Sequence, residues 1–533
     1  MTPSTDPSTW LLTADERGNP STVLDRRHDD GKAWTTGNRV VALVHGATYF
    51  RRLHEVLTGL TEGDLLCFTD WRGDPDERLT GEPGSEVRTV LCGAAERGVV
   101  VKGLLWRSHL DGLRYSSAEN RHLGDAVNEA GGEVLLDQRV RPFGSHHQKL
   151  VVVRTDEHAV AFAGGIDLCH SRRDDATHAG DRQPIAMADE YGEHPPWHDV
   201  QLEVHGPAVG DLETVFRERW ADPAPLDNRV RLWISRKLDG SLDTDASEMP
   251  GQRPDPDPGG TCTVQVLRTY AARRAQYPFA AAGERSVAAA YKKVMGRARR
   301  IIYLEDQYLW STHVATLFAD ALRAQPDMHL VAVVPRFTDE DSPIARWPAM
   351  VGRQDALDMV QQAGGERVAV FDIENHAGTP VYVHAKVCVV DDVWASIGSD
   401  NLNVRSWTHD SELSCAVLDT ELDGREPVDP AGLGDMARRF ARELRLELVR
   451  EHLDADDDEG IIDPVAVLHR MRASALALDA WHAGGRQGPR PPGRLRVHTH
   501  DATSAVTRAW ARPMYHLVVD PDGRPRAGLR RRW

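Results

Sequence analysis

Cysteine is scarce in this chain of 533 residues, and its six copies stand singly at Cys67, Cys92, Cys169, Cys262, Cys388 and Cys415. With no CxxC pair there is no basis for a disulfide framework or a cysteine zinc site, and the pattern reads as reduced, buried thiols of a cytoplasmic protein. Long apolar runs are missing too. None approaches the roughly 20 residues that cross a bilayer as a helix, which argues against an integral membrane enzyme. The opening stretch MTPSTDPSTWLLTADERGNP has no basic segment ahead of an apolar core, so a secretory signal is not expected. Positive charge is also in deficit: 64 Lys and Arg against 81 Asp and Glu give a net charge of −17. Nucleic acid and anionic lipid both attract a positive footprint, and this balance supplies none overall. Local basic density from Arg268 to Arg300 and at Arg530 to Arg532 reads as a solvated helix face and a tail. The acidic run Asp454 to Glu459 lacks the spacing of a calcium loop and reads as solvated loop.

What the chain does have is a repeat. His147-Gln148-Lys149 returns as His384-Ala385-Lys386, 237 residues later, and each copy heads an apolar β-branched run. Residues two apart on a strand share a face, so each copy presents an imidazole beside an ammonium. The repeat extends well beyond the tripeptide. Leu65 to Trp71 lies over Ile302 to Tyr308, and Ala130-Gly131-Gly132-Glu133 recurs as Ala363-Gly364-Gly365-Glu366. Gly164-Gly165-Ile166-Asp167 answers Gly398-Ser399-Asp400-Asn401, and carboxylates follow at Asp199 and Glu412. Five landmarks in one order imply two homologous lobes that each complete half of one site. Two imidazoles can divide nucleophile and acid duties while two lysines neutralise an anion, which makes a phosphate ester the natural substrate.

At these residues the chain resembles the phospholipase D superfamily, whose signature is HxKxxxxD followed by a glycine-rich turn with Asn or Asp. His384, Lys386, Asp391, Gly398, Ser399 and Asn401 match it in full. The segments FGSHHQKLVVV, AFAGGIDLCHSR, PWHDVQLEVHGPAV, ERSVAAAY and IIYLEDQYLW are similar to the phosphatidylcholine-hydrolysing branch, in a soluble, actinobacterial-like form, from about residue 40 to 452. The first copy departs from the pattern at Arg154, where Asp is usual, with Asp156 two residues on. The hairpin there is longer as well: Lys149 to Gly164 spans 15 residues against 12 from Lys386 to Gly398. Asp156 is therefore expected either to take the usual place on a longer turn or to be dispensable.

The alternation of strands and helices predicts an α/β fold, and the resemblance implies two lobes with mixed sheets related by a pseudo-twofold axis that carries the site. Expected boundaries are an N-terminal extension over 1–39, lobe one over 40–236, a linker over 237–262, lobe two over 263–452 and a C-terminal extension over 453–533. The linker, rich in Pro, Gly and Asp, reads as mobile. The resemblance implies His147 as nucleophile and His384 as general acid, an order that the symmetry of the sequence leaves open. Asp199 is expected to brace His147, and Glu412 to brace His384. Lys149 and Lys386, aided by Asn401 and Ser399, are expected to hold the nonbridging oxygens; Asp167 and Asp391 are expected to organise strand ends.

No cofactor is called for, and no metal is needed for this chemistry. The stretch between Asp167 and Asp199 covers 32 residues against 11 between Asn401 and Glu412. Despite His170, His178 and His194, this insertion is expected to be a surface loop or polar lid before a metal cluster. The expected reaction is hydrolysis of a glycerophospholipid to phosphatidic acid and a free alcohol, with transphosphatidylation, through a phosphohistidine. The alternatives are a superfamily phosphodiesterase or nuclease, or a weakened phospholipid-binding relative. The expected partner is phospholipid at a membrane surface, touched peripherally, with no nucleic acid; the apolar stretch from Trp510 to Val518 is a candidate contact.

Overall fold

The computed structural model describes residues 6–28, 30–108, 117–226, 246–309, 311–339, 343–499 and 503–524. Lobe one contributes strands β1 (Thr35–Val44), β2 (Leu65–Asp70), β3 (Val100–Trp106), β4 (Glu133–Asp137), β5 (Leu150–Arg154), β6 (Ala159–Gly164), β7 (Trp197–His198) and β8 (Val200–His205). Lobe two contributes β9 (Cys262–Tyr270), β10 (Glu284–Arg285), β11 (Ile301–Asp306), β12 (His329–Val333), β13 (Val368–Ile373), β14 (Tyr382–Val383), β15 (Lys386–Val390), β16 (Trp394–Gly398) and β17 (Glu412–Asp419), and β18 (Leu495–Val497) follows.

Fifteen of these strands form one continuous sheet in the order β18-β13-β12-β11-β15-β16-β17-β9-β1-β8-β6-β5-β2-β3-β4, with β10 paired on β9, while β7 and β14 form a separate two-stranded sheet. Read outward from the β9–β1 seam, the two halves are the same series, which is the twofold relation the repeat implied. In each half, parallel pairs (β2 with β3, β3 with β4; β11 with β12, β12 with β13) lie outside the antiparallel set. Helices such as Gly46–Thr58 and Val87–Glu96 in lobe one, and Ser286–Arg297 and Thr312–Ala324 in lobe two, lie over the sheet. Strands covered on both sides read as unbroken apolar runs, and β2, β5, β11 and β15 are buried along their full length.

Three extensions sit differently from the plain expectation. The segment before β1 packs on the other lobe: Trp10, Leu11, Leu12 and Trp34 join the core under Val287 and Phe318. The later half of the linker is held against lobe one. Arg154 donates to the Pro254 carbonyl and Lys102 to Ser247 Oγ at 2.7 Å, while Arg27 of the N-terminal extension pairs with Asp255; the rest of the linker, 237–245, lies outside the described residues. After lobe two, β18 adds antiparallel to β13 and caps an otherwise open edge.

Candidate active site

Each histidine motif enters the sheet at a strand mouth beside the carboxylate segment of the other lobe. In lobe two, Tyr382 and Val383 run parallel to Trp197 and His198, with His384 N donating to the His198 carbonyl at 2.8 Å. In lobe one, His146 pairs with Ser411, and His147 N donates to the Ser411 carbonyl at 2.9 Å. The next residue on each neighbouring segment is a carboxylate. Consequently His147 Nδ1 lies 2.9 Å from Glu412 Oε2, and His384 Nδ1 lies 2.6 Å from Asp199 Oδ2. The expected pairing of Asp199 with His147 and Glu412 with His384 is thus corrected: the braces are exchanged across the interface. Expecting each lobe to brace its own histidine ignored these two short inter-lobe pairings, which put the foreign carboxylate alongside.

The lysines are placed by their own motifs. Lys149 Nζ donates to the His147 carbonyl at 2.9 Å and pairs with Asp167 Oδ1 at 3.3 Å. Lys386 Nζ donates to the His384 carbonyl and to Gln307 Oε1, the latter at 3.2 Å. An ammonium has three donors, so each lysine retains one for an anion in the site. Glycine turns close the arrangement. A Cβ at Gly165 would run into the Asp199 carboxylate, and one at Gly398 into Ser414 Oγ.

Burial sets the electrostatics. Desolvation, reinforced by the ammonium groups of Lys149 and Lys386, pushes the His147 imidazole well below the ordinary histidine range. Desolvation, then Lys386 and Arg172, does the same to His384. Burial pushes Glu412 up to about 8, with the Asp410 charge adding to it. Burial also pushes Lys386 down to about 8. Against the upward push of burial, the Lys149 ammonium holds Asp167 low; its neighbour Asp70 is pushed up by burial and by the Asp167 charge. Burial and the nearby cations therefore favour the neutral form of each ring, and a charge appearing between them meets lysines with a donor to spare.

The supporting residues divide. Asp391 accepts from the backbone N–H groups of Arg299, Arg300 and Ile301 at 2.7–2.8 Å, tying the turn to the head of β11. Asp156 does not play that part in lobe one. Its side chain is 95% exposed and pairs with Arg253, because the longer turn carries it into solvent. Arg154 stays in β5 and instead pairs with buried Glu213 at 3.0 Å. Ser399 is also reassigned from substrate contact to bracing: its hydroxyl donates to Glu412 Oε2 at 2.6 Å while accepting from Leu413 N at 3.0 Å. Asn401 is buried with Oδ1 unpaired.

Sequence reasoning missed Arg172, Trp197 and Asp410. The Arg172 guanidinium lies 3.8 Å over the Trp197 ring, which in turn packs 4.9 Å from His384. Arg172 Nε is buried without a hydrogen-bond partner. Its signal was its place in the insertion, five residues past Asp167. Asp410 accepts from Ser145 N at 2.8 Å and pairs with Arg405 at 2.6 Å, locking the segment before His147 to the one before Glu412. Of the three insertion histidines, His170 pairs with Asp76 at 3.0 Å and His194 with the Asp181 carbonyl at 2.9 Å, so they do not converge with His178.

Comparison with known proteins agrees with the motifs. The family described as phospholipase D matches residues 124–333, and that described as cardiolipin synthase, PLD-like domain, matches residues 337–424. Phospholipase D1 of Saccharomyces cerevisiae is 26% identical over 506 residues, covering 78% of this chain and 29% of that protein. Phospholipase D alpha 1 of Brassica oleracea var. capitata is 26% identical over 524 residues, covering 75% of this chain and 62% of that protein. Phospholipase D2 of Bos taurus is 25% identical over 539 residues, with 81% and 55% covered. The chain thus spans less than two thirds of the length of these relatives.

Proposed function

This chain belongs to the phospholipase D superfamily, and from that premise we propose that it is a phospholipase D, hydrolysing a glycerophospholipid to phosphatidic acid and a free headgroup alcohol. The observation that carries the reading is the pair of buried imidazoles, each with Nδ1 held by a carboxylate from the opposite lobe. That leaves Nε2 of each ring for chemistry. Neutral His147 attacks phosphorus through Nε2 while His384, entering the step as an imidazolium held by Asp199, gives its Nε2 proton to the departing alcohol oxygen, leaving a covalent phosphohistidine and a neutral His384. His384, now neutral, takes the proton of an incoming water or alcohol, whose oxygen displaces His147. The spare donors of Lys149 and Lys386, with the Asn401 amide, hold the nonbridging oxygens as charge builds in the transition state.

Contact with the lipid surface is peripheral in this reading. Among the described residues no helix is long and apolar enough to cross a membrane. Phe143, Leu517 and Val518 are 75%, 73% and 54% exposed. Arg405 gathers two of these segments, donating to the Phe143 carbonyl at 2.8 Å and the Val518 carbonyl at 3.5 Å. Phe143 is four residues from His147, so this apolar edge sits by the motif. Six free thiols, five of them buried, suit the cytoplasm.

The test is product partitioning. Purified protein with phosphatidylcholine micelles should release choline and phosphatidic acid, and added ethanol should divert product to phosphatidylethanol with little change in choline release. A chiral phosphorothioate substrate should show net retention from two inversions. Inversion, or activity confined to single-stranded DNA, would sink the proposal.

A further inference from the structure

Beside the catalytic histidines lies a second cluster that the mechanism does not use. His45 comes from the turn before helix Gly46–Thr58, His178 from the insertion, His198 from β7 and Glu451 from the lobe-two helix Arg439–Leu453. One ligand atom from each of the four lies within 4.8 Å of the other three. His45 Nε2 is 2.7 Å from Glu451 Oε2, His178 Nε2 is 3.0 Å from Glu451 Oε1, and His198 Nδ1 is 3.5 Å from that same oxygen. The three histidines are fully buried, and Glu451 retains 11% side-chain exposure.

Simple hydrogen bonding does not account for this arrangement. One carboxylate serves three imidazoles, and His198 Nδ1 is buried without a hydrogen-bond partner although it faces the cluster. The outward nitrogens carry a second layer of acceptors. His198 Nε2 is 2.6 Å from Glu305 Oε2, whose other oxygen accepts from Tyr303 at 2.6 Å and meets His452 Nε2 at 2.7 Å. His178 Nδ1 lies 3.5 Å from Asp174 Oδ2. Carboxylates behind histidines are what fix the tautomer and orientation of metal-bound imidazoles. Zinc bonds of about 2.0–2.2 Å in a tetrahedral set place ligand atoms about 3.3 Å apart, and the separations seen here bracket that value.

We infer that His45 Nε2, His178 Nε2, His198 Nδ1 and Glu451 form a structural site for a divalent transition metal of the zinc class. Three nitrogens and one carboxylate fill a tetrahedral shell, so the metal is structural and opens no position for substrate. Its action on catalysis is through positioning. The His198 carbonyl receives the N–H of His384, and the next residue, Asp199, braces His384 Nδ1. A metal holding His198, with three ligands from lobe one and one from lobe two, would fix that crossing segment and clamp the interface.

The experiment is metal binding by the full chain, read without activity. Protein stripped with a chelator and titrated with Co2+ should take up one equivalent per chain with the intense visible bands of a tetrahedral ion, and Zn2+ should displace it. His178→Gln and Glu451→Gln should each lose that equivalent, whereas His147→Ala and His170→Ala should keep it. Added Zn2+ should raise Tm of the wild type and leave the His178→Gln protein unmoved, as linkage requires of a ligand that binds only the folded site. Weak octahedral bands, no uptake, or loss of the equivalent in His147→Ala would each overturn the assignment. Should the variants misfold, the wild-type Co2+ spectrum and stoichiometry decide it alone.

Discussion

Replacing Glu412 by Gln tests the crossed bracing directly, because it alters lobe two and should disable the histidine of lobe one. Glu412 Oε2 receives both the Ser399 hydroxyl at 2.6 Å and His147 Nδ1 at 2.9 Å, while Oε1 is buried without a partner. A Gln carbonyl in the Oε2 position preserves both contacts but cannot ionise against the positive ring that forms on His147 as phosphorus is attacked, and leaves its amide N–H groups buried and unsatisfied. The alternative flip aims N–H at His147 Nδ1, forcing the proton onto Nε2 and removing the lone pair that attacks phosphorus. Exchanging a charge-assisted hydrogen bond of about 1.5–3 kcal/mol for a neutral one of about 0.5–1.5 kcal/mol costs about 1–2 kcal/mol in the transition state, or roughly 5–30-fold. The tautomer penalty adds to that. Loss of a carboxylate behind a catalytic histidine by amide substitution reaches about 10⁴-fold where the tautomer is wrong, so single-turnover headgroup release should fall between about 30-fold and 10⁴-fold. The assay is rapid-quench release of labelled choline from micelles, paired with 15N spectra of the ring nitrogens. Glu412→Gln should move the His147 resonances and spare those of His384; Asp199→Asn should do the reverse. Less than a threefold change in rate, or spectra that move the histidine of the same lobe, would refute the crossed arrangement.

Further outcomes follow from the same geometry. His147→Ala and His384→Ala should each abolish turnover with the double variant little worse, since both rings serve one centre; residual activity in either single variant would mean independent sites. Lys386, pushed down to about 8 by burial, must keep its proton to hold a phosphoryl oxygen, so kcat/KM should fall as pH rises through about 8. Bound anion favours the charged form, so the matching limb in kcat should lie at higher pH; a kcat/KM flat to pH 10 contradicts this role. Phe143→Asp and Leu517→Asp should lower activity on phospholipid vesicles severalfold but leave a soluble short-chain diester unaffected, and equal losses on both would remove the docking role. Arg154→Ala should cost stability rather than chemistry. It removes a partner from buried Glu213, which keeps Arg217 at 2.6 Å, so the loss should be about 1–3 kcal/mol by denaturant titration, below that of a fully orphaned charge. A hundredfold change in kcat with stability unaltered would instead place Arg154 at the substrate.

The sequence alone determined the duplication, and with it the fold. Strands such as Leu150 to Val153 and Val387 to Val390 are buried on both faces, so they must be written as continuous apolar runs, and the chemistry must stand at their mouths, where His147, Lys149, His384 and Lys386 are read without ambiguity. The tertiary structure decided everything that depends on how one lobe meets the other. Which carboxylate braces which histidine follows from the β7–β14 pairing and the His146–Ser411 bridge, contacts between segments about 185 and 265 residues apart that no local pattern encodes. The same holds for Asp156, carried into solvent by a longer turn, and for Ser399, turned toward Glu412 instead of substrate. His45, His178, His198 and Glu451 are the furthest case. Their irregular spacing is meaningless along the chain, and only packing the insertion against a lobe-two helix brings four donors to one point.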